Sequence, residues 1–593
     1  MLSAISDRWI VAGSAATAIG ALWAPDVPWW CGAAALIAGA ARRTRVLLPA
    51  GLLLLAAAAM GQQAQNLSEA AGGSFDGEAV IVADPHWRQG ALTVPVSVEI
   101  QGREHRWEGW SRGAAAYGLE DAAVGEHWRI SGVAETAEPR DRPFLWPRHY
   151  AGQAQIHTAR RTDGGSAPFR LANAVRGLIE RSSASLSPRD AALLAGFVYG
   201  DDRGQLAEVV HDFRATALTH LLAVSGSNVA FVLLLAAPLL IRLRPVMRLG
   251  AVAVLLGQFA VLTRGEPSVL RACVLATLAV GAQSLGRRAS AVRLLALAII
   301  VLLLIDPLLV RSVGFQLSVA ATAAIVAGTR RIAALLWGPQ WIRLPLAATL
   351  AAQIGVLPVQ LAVFGSLPLV SIPANVLAGP LAGPAMVWGL VAGLAGGLAG
   401  DAVASFLHLP TQVMLGWVAA VARWGAAAGW PQIETSEVAA VVIVVVGCVA
   451  TALLARRRFA GAPAIAVVVA AIGIWIVASG QRGALPSSEH LSVGGIDPTV
   501  VVIDRPDAAR ALDQLATAGI DDIDVLIARS ASRAGREAVR AVHERHSVAR
   551  VLAPVSLGGL VRYSAVTGPT PVGDLVVDAI GERLSVSPAV ASP

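Results

Sequence analysis

The sequence predicts a polytopic α-helical membrane protein of about thirteen spans, with a small extracytoplasmic β-barrel after the third span and a small α/β domain at the C-terminal end. Three observations carry that expectation. Hydrophobic residues make up 55% of the chain and charged residues only 15%, with a mean hydropathy of +0.61, outside the range of soluble domains. Uncharged apolar runs of about twenty residues recur, the length needed to cross a hydrocarbon core. The basic residues gather in short loops between those runs.

The third observation decides what the charge means. The chain holds 47 basic residues, all arginine, and a net charge of +7, which could mark a nucleic-acid footprint. Yet residues 75–161 hold ten Arg against twelve Asp and Glu, and residues 481–593 hold eleven against thirteen. The excess lies instead in Arg42, Arg43 and Arg45; Arg242, Arg244 and Arg248; Arg287, Arg288 and Arg293; Arg330, Arg331 and Arg343; and Arg456, Arg457 and Arg458. Acid-free arginine loops between spans are the signature of the cytoplasmic side of a membrane.

That signature orders the elements. Residues 1–61 are read as three spans, at about 9–24, 29–41 and 46–60; the first lacks a small-residue cleavage site and is read as a span, not a leader. Residues 62–165 form the first soluble domain. Here Leu92, Val94, Val96, Val98 and Ile100 alternate with Thr93, Ser97 and Glu99, the period of a strand with one buried face. Further strands expected near 79–83, 127–133 and 153–158 would complete a small antiparallel barrel. Residues 166–480 are read as ten spans, near 221–241, 249–263, 268–284, 291–305, 312–327, 345–364, 384–400, 404–424, 437–455 and 462–479. The arginine clusters all fall on one side of this series, which leaves both soluble domains on the other. Residues 481–593 alternate expected strands at 500–504, 523–528 and 549–552 with expected helices at 508–518 and 535–545, a small α/β layer.

Several chemistries are not encoded by any recognisable motif. Cys31, Cys273 and Cys448 stand singly in apolar runs, as small buried hydrophobes rather than disulfides or zinc ligands. Without lysine there is no Walker A motif, and neither Gly-x-Ser-x-Gly nor His-Glu-x-x-His occurs, so no ATPase or hydrolase site and no cofactor or metal is expected.

What the spans offer is a set of polar groups: His220, Ser225, Ser227 and Asn228; Ser312 and Gln316; Thr349, Gln353 and Gln360; and Asn375. On one continuous helix His220, Ser227 and Asn228 would share a face. In hydrocarbon such groups must face protein or water, so they either bond between helices or line a hydrated pore. Arg271, near the outer start of a span, either snorkels to the headgroups or contacts phosphate at the outer mouth. The stretch from Ser371 to Pro384 carries Pro373, Pro380 and Pro384 and is expected to be re-entrant rather than one regular helix. In the first soluble domain Trp107, Trp110, Arg112 and Arg148 interleave aromatic and guanidinium groups. They could stack on the bases of a single strand, with a tryptophan-filled core as the alternative.

Four ordered stretches resemble the ComEC family of competence proteins. The first is Thr219-His220-Leu221-Leu222-Ala223-Val224-Ser225-Gly226-Ser227-Asn228-Val229, preceded by Leu194 to Asp201. Pro267 to Ala272 is the second, and Asp306-Pro307 with Gly314 to Thr322 the third. Gln353 to Pro358, with Phe364-Gly365 and Ala374-Asn375, is the fourth. The resemblance implies an inner-membrane channel for uptake of single-stranded DNA, with an OB-like domain at 62–165 and a metallo-β-lactamase-like domain at 481–593. It implies DNA and the lipid bilayer as partners, with a separate DNA receptor and either a separate motor ATPase or the membrane potential as the drive. Homo-oligomerisation stays open.

Two departures stand out. Ser227-Asn228 replaces the Leu-His of the commonest family form, so any role of that histidine is absent or replaced. A metallo-β-lactamase-like domain needs His and Asp packed after a strand as H-x-D-x-D-H, but here Arg529-Ser530-Ala531-Ser532-Arg533-Ala534-Gly535 follows. His543 and His546 lie on an expected exposed helix with Arg545 between them. The segment is therefore read as truncated and degenerate, with neither metal nor nuclease activity. A membrane-tethered nuclease and a permease for a smaller solute are the rival readings.

Overall fold

The computed structural model describes residues 7–22, 29–41, 47–428 apart from 89, 90, 140, 223, 288 and 365, then 432–434 and parts of 491–588. The spans expected at 437–455 and 462–479, Arg456 to Arg458 and Cys448 lie outside the described residues.

Three apolar helices come first: α1 (Asp7–Leu22), α2 (Trp29–Ala41) and α3 (Leu47–Ser68). The β-domain follows, built from β1 (Gly73–Ile81), β2 (His86–Arg88), β3 (Ala91–Ile100), β4 (Arg103–Ser111), α4 (Ala114–Leu119), β5 (His127–Thr136), α5 (Arg142–Leu145) and β6 (Tyr150–Asp163). The strands pair in the order β1-β5-β6-β4-β3-β2, and β1 also pairs with β3. Only β4 and β6 run parallel. The apolar side of β3, from Leu92 to Ile100, is buried as its alternation predicts. Its partner β4, sequence REHRWEGWS, carries no such alternation and is not evident in the sequence. What secures it is the turn: Gln101 and Gly102 have φ of 53° and 78°, the two left-handed residues of a tight hairpin, which sets Ile100 opposite Arg103.

The helical region then runs α6 (Ala167–Ser183), α7 (Pro188–Tyr199), α8 (Ala207–Ala215), α9 (Thr219–Leu222), α10 (Gly226–Leu240), α11 (Pro245–Leu262), α12 (Pro267–Ser284), α13 (Ala291–Ile305), α14 (Val313–Leu335), α15 (Gln340–Phe364), α16 (Ser371–Ala399), α17 (Asp401–Leu407) and α18 (Leu409–Ala427). Among the described residues five helices, α3, α11, α14, α15 and α16, are long and apolar enough to cross a membrane, or six if α17 and α18, bent by 49°, count as one span. The exact tally of thirteen is thus not reproduced there: α10 and α13 have 15 residues each, about 22 Å against about 30 Å of hydrocarbon.

Two local expectations need correction. Ser371 to Pro384 is not a broken segment; it opens α16, a single 29-residue helix with Pro380 and Pro384 inside it. Proline deletes one N–H and bends a helix, but packed neighbours tolerate that within an apolar bundle. His220 does not share a helix with Ser227 and Asn228, because α9 stops at Leu222 and α10 starts at Gly226. Ser225 stands between them as an extended N-cap, with φ −100° and ψ 164°, the backbone a serine cap adopts.

The bundle packs as two hydrophobic bodies. One joins α1, α3, α13, α14 and α15 to the core of the β-domain; the other joins α6, α7, α8, α10, α11, α16 and α18. Helix α12 is the wall between them: Val269, Ala272 and Cys273 pack into the second body and Leu270, Val274 and Leu275 against the first. Helices α14 and α15 run antiparallel in close contact, where a Cβ on Gly355 would stand 2.7 Å from the Ala320 carbonyl oxygen.

In the C-terminal unit β9 (Leu491–Gly494), β10 (Val500–Ile503), β11 (Asp522–Ala528), β12 (Ser547–Ala553) and β13 (Ser564–Ala565) form one sheet in the order β13-β12-β11-β10-β9. All its pairings are parallel except β9 with β10. Helix α19 (Arg533–Arg545) and the residues around Leu512 cover one face. On the other face Val577 and Leu584 pack, from the antiparallel sheet β14 (Thr570–Val572), β15 (Leu575–Ile580) and β16 (Arg583–Pro588).

Candidate functional site

The β-domain is fixed to the helices by ion pairs that the sequence does not reveal, since their members lie far apart in the chain. Arg176 of α6, with its side chain 4% exposed, donates to Asp84 at 2.6 Å, to the Leu262 carbonyl at 2.9 Å, and lies over the Tyr199 ring. Arg264, at the far end of α11, donates twice to the same carboxylate, at 3.0 and 2.9 Å. A second anchor joins His149 to Asp306 at 2.9 Å, just past α13. Burial alone would raise the Asp84 pKa, but the two guanidinium groups outweigh it and hold the carboxyl at about 2.

Between the two bodies of the bundle lies a group of polar side chains. Ser225 and Ser227 bond each other, Ser225 also reaches Asn228 at 3.3 Å, and Asn228 donates to the Phe197 carbonyl of α7 at 2.9 Å. Ser268 of α12 donates to the Val224 carbonyl at 2.7 Å, which pins the strand-like break between α9 and α10. Arg271, one helical turn on, is only 6% exposed. It does not snorkel to a surface: its Nε donates to Ser318 of α14 at 2.9 Å, and its Nη2 stands 3.0 Å from where a Cβ on Gly226 would be. Further along the same boundary Gln353 of α15 makes a long hydrogen bond, 3.5 Å, to Ser371 of α16, whose carbonyl accepts from Asn375 at 2.8 Å.

The other sequence candidates are placed differently. His220 donates through Nδ1 to the Ala217 carbonyl at 3.1 Å and is otherwise exposed. Gln316 is buried and donates to the Val310 carbonyl beneath its own helix start, where Ser312 caps α14. Gln360 and Thr349 lie on α15, the latter bonded within its own helix. In the β-domain Trp107 is fully buried and belongs to the core, whereas Trp110 is half-buried with the Arg112 guanidinium 5.3 Å from its ring centroid, and Arg148 is exposed. Ser318, Ser268 and Gly226 are the members that sequence reading does not single out as a site. Their roles come from neighbours on other helices, although all three lie within the stretches quoted above.

In the C-terminal unit Ser532 caps α19 through the Gly535 N–H at 3.1 Å. His543 is exposed near the end of that helix and His546 lies just beyond it. Among the described residues no group of three or more His, Cys, Asp or Glu side chains could hold a metal ion. Arg545 of α19 pairs with Asp212 of α8.

Comparison with known proteins agrees on the helical region. Residues 197–459 match the model of the Competence protein family. The chain is similar to ComE operon protein 3 of Bacillus subtilis (strain 168), 23% identical over 340 residues, which cover 54% of this chain and 42% of that protein. The match thus spans less than half of the relative's length. No solved structure matches. The apolar helices and the family match together mark a membrane protein whose helical core, which holds the polar boundary, is similar to the ComEC family of competence proteins.

Proposed function

We propose that this chain is a multi-pass channel that takes a single strand of DNA across the cytoplasmic membrane. The observation that carries the reading is the polar boundary: Arg271 to Ser318 and Gln353 to Ser371 join the two apolar bodies, and Ser225, Ser227 and Asn228 stand at the start of α10 beside Arg271. Polar groups inside a membrane are costly unless they serve each other or a hydrated path. The family match supports DNA uptake as the process.

Both soluble units are proposed to be extracytoplasmic. Helices α11 and α13 start beside the arginines 244, 248 and 293 and end beside Arg264 and Asp306, which hold the β-domain; arginine-rich starts are cytoplasmic ends. An OB-type barrel is proposed for 62–165. It is supported by the ring of pairings that β1 closes with β3 and β5, by the parallel β4–β6 pair, and by α4 between β4 and β5. A metallo-β-lactamase-like layer without metal or nuclease chemistry is proposed for 481–593. Its support is the stacking of helix, parallel sheet and second sheet, with arginines and a capping serine after β11 where ligands would be needed. A separate receptor would deliver the strand, and a separate motor or the membrane potential would drive it.

The test is complementation. A competent bacterium deleted for its own channel gene, expressing this chain in its membrane, is scored for uptake of labelled DNA. Restored uptake is expected; membrane-inserted protein with uptake no higher than the deletion would refute the reading.

A further inference from the structure

We propose that Arg271 and the N-terminus of α10 together form a binding site for a phosphodiester anion. Two independent observations meet there. The first is the guanidinium. Arg271 is 6% exposed, and its one hydrogen bond to a described residue is the Nε contact with the neutral Ser318. Among the described residues no carboxylate pairs with it and neither terminal nitrogen has a hydrogen-bond partner. A buried cation without a counter-charge is strongly disfavoured, and an arriving anion removes that penalty. The fork of two N–H groups also matches the paired oxygens of a phosphate better than a point charge would.

The second observation is what the guanidinium faces. Its Nη2 lies 3.0 Å from the Cβ position of Gly226, the first residue of the 15-residue helix α10. Among the described residues no side chain caps that helix. The Ser225 hydroxyl is spent on Ser227 and Asn228 rather than on backbone N–H groups. The Asn228 N–H donates to the Ser225 carbonyl at 3.1 Å, which leaves the Gly226 and Ser227 N–H groups at the helix start, and the helix dipole adds partial positive charge at the same place. Glycine at 226 lets backbone and guanidinium approach one ligand from two sides, and Ser227, exposed, adds a hydroxyl. The break between α9 and α10 is what creates this helix start inside the bundle.

The proposal deepens the channel reading and rests on it only for the source of the phosphodiester, namely successive phosphates of a passing strand. A lipid headgroup offers the same chemistry. The test uses the full-length protein in nanodiscs of purely zwitterionic lipid, with dimethyl phosphate as the probe and phosphorus NMR line broadening as the readout. Wild type is expected to broaden the probe signal, and Arg271→Gln to lower its affinity at least tenfold, with Arg271→Lys in between. Equal broadening by wild type and a folded Arg271→Gln protein overturns the site. If Arg271→Gln does not fold, Gly226→Ala serves: a Cβ there crowds the guanidinium, and unchanged affinity overturns the site equally.

Two further arms identify the source. Displacement of the probe by a short oligothymidylate in zwitterionic discs supports the strand. Displacement by anionic phosphatidylglycerol alone supports the site but assigns it to lipid. Failure of probe binding alongside restored DNA uptake sinks the site and leaves the channel standing; probe binding without uptake does the reverse.

Discussion

Arg176 of α6 donates to the Asp84 carboxylate at 2.6 Å, and their side chains are 4% and 16% exposed. The loop after β1 thereby reaches into the helical bundle, so the β-domain is clamped to it at a defined angle rather than tethered. Removing one partner strands the other's charge, a loss of about 3–5 kcal/mol for a buried pair. Asp84→Ala is expected to loosen the domain and lower the thermal midpoint of the detergent-solubilised protein. An unchanged midpoint together with unchanged protease resistance at residues 62–165 would contradict the clamp.

The same pair gives a pH dependence with a definite sign. Burial works to raise the Asp84 pKa, but Arg176 and Arg264 prevail and lower it from 3.8 to about 2. A carboxylate with a depressed folded-state pKa contributes stability above its unfolded value and loses it as pH falls through the folded one. Docking should therefore hold above pH 4 and weaken between about 4 and 2. Proteolysis across that window by an acid-active protease should show the weakening in wild type and a flatter profile in Asp84→Asn.

Trp107 and Trp110 sit three residues apart on β4 and face opposite ways, one fully buried and one half-buried beneath Arg112. Trp107→Ala should cost about 3–5 kcal/mol of domain stability. Trp110→Ala and Arg112→Ala should leave folding nearly intact but weaken oligothymidylate binding by the full chain, by about 1–3 kcal/mol for the lost stacking. Fluorescence anisotropy at low salt reads this out, and wild-type affinity in both variants would remove these residues from the strand's path.

Helices α14 and α15 touch through Gly355, whose Cβ position lies 2.7 Å from the Ala320 carbonyl oxygen. Gly355→Val should force the pair apart at about 1–3 kcal/mol. A drop in thermal midpoint is expected, larger than for the same change at Gly416, where a Cβ would meet nothing within 4 Å. Equal behaviour of the two variants would show that the helices do not approach as described.

The loop after β11 holds Arg529 and commits Ser532 to capping α19, which opens at Arg533. Full-length protein loaded with zinc or manganese and then dialysed should retain neither at stoichiometric level by elemental analysis. One ion per chain would show that the unit still holds a metal centre.

What was legible in the sequence follows from how local each signal is. The run at 291–305 is read to the residue because Ser290 caps it and Asp306 ends it. Strand β3 announces itself through alternation, while β4 hides because it takes its place from the hairpin turn and from β3 rather than from its own pattern. The proline-rich start of α16 misleads because proline's local cost is offset by packing against α10, through Gly383 and Phe231, and α18, where Trp417 donates to the Leu377 carbonyl. The break at Ser225 is hidden in the sequence because apolar residues flank it on both sides, so His220 reads as part of a helix that in fact begins only at Gly226. The meeting of Arg271 with Ser318 belongs to two helices 47 residues apart, a relation no single stretch of sequence displays.

The boundary between the two bodies of the bundle is crossed by Arg271 to Ser318 and by Gln353 to Ser371. Both contacts join donors to neutral hydroxyls, the kind of partner that water or a sugar–phosphate oxygen can replace in kind. Exchanging either contact trades one acceptor for another, whereas parting interlocked apolar side chains would forfeit their contacts outright. On the channel reading proposed above, a guest that brings its own acceptors takes over these two contacts, while the apolar packing of α12 against both bodies holds the bundle together.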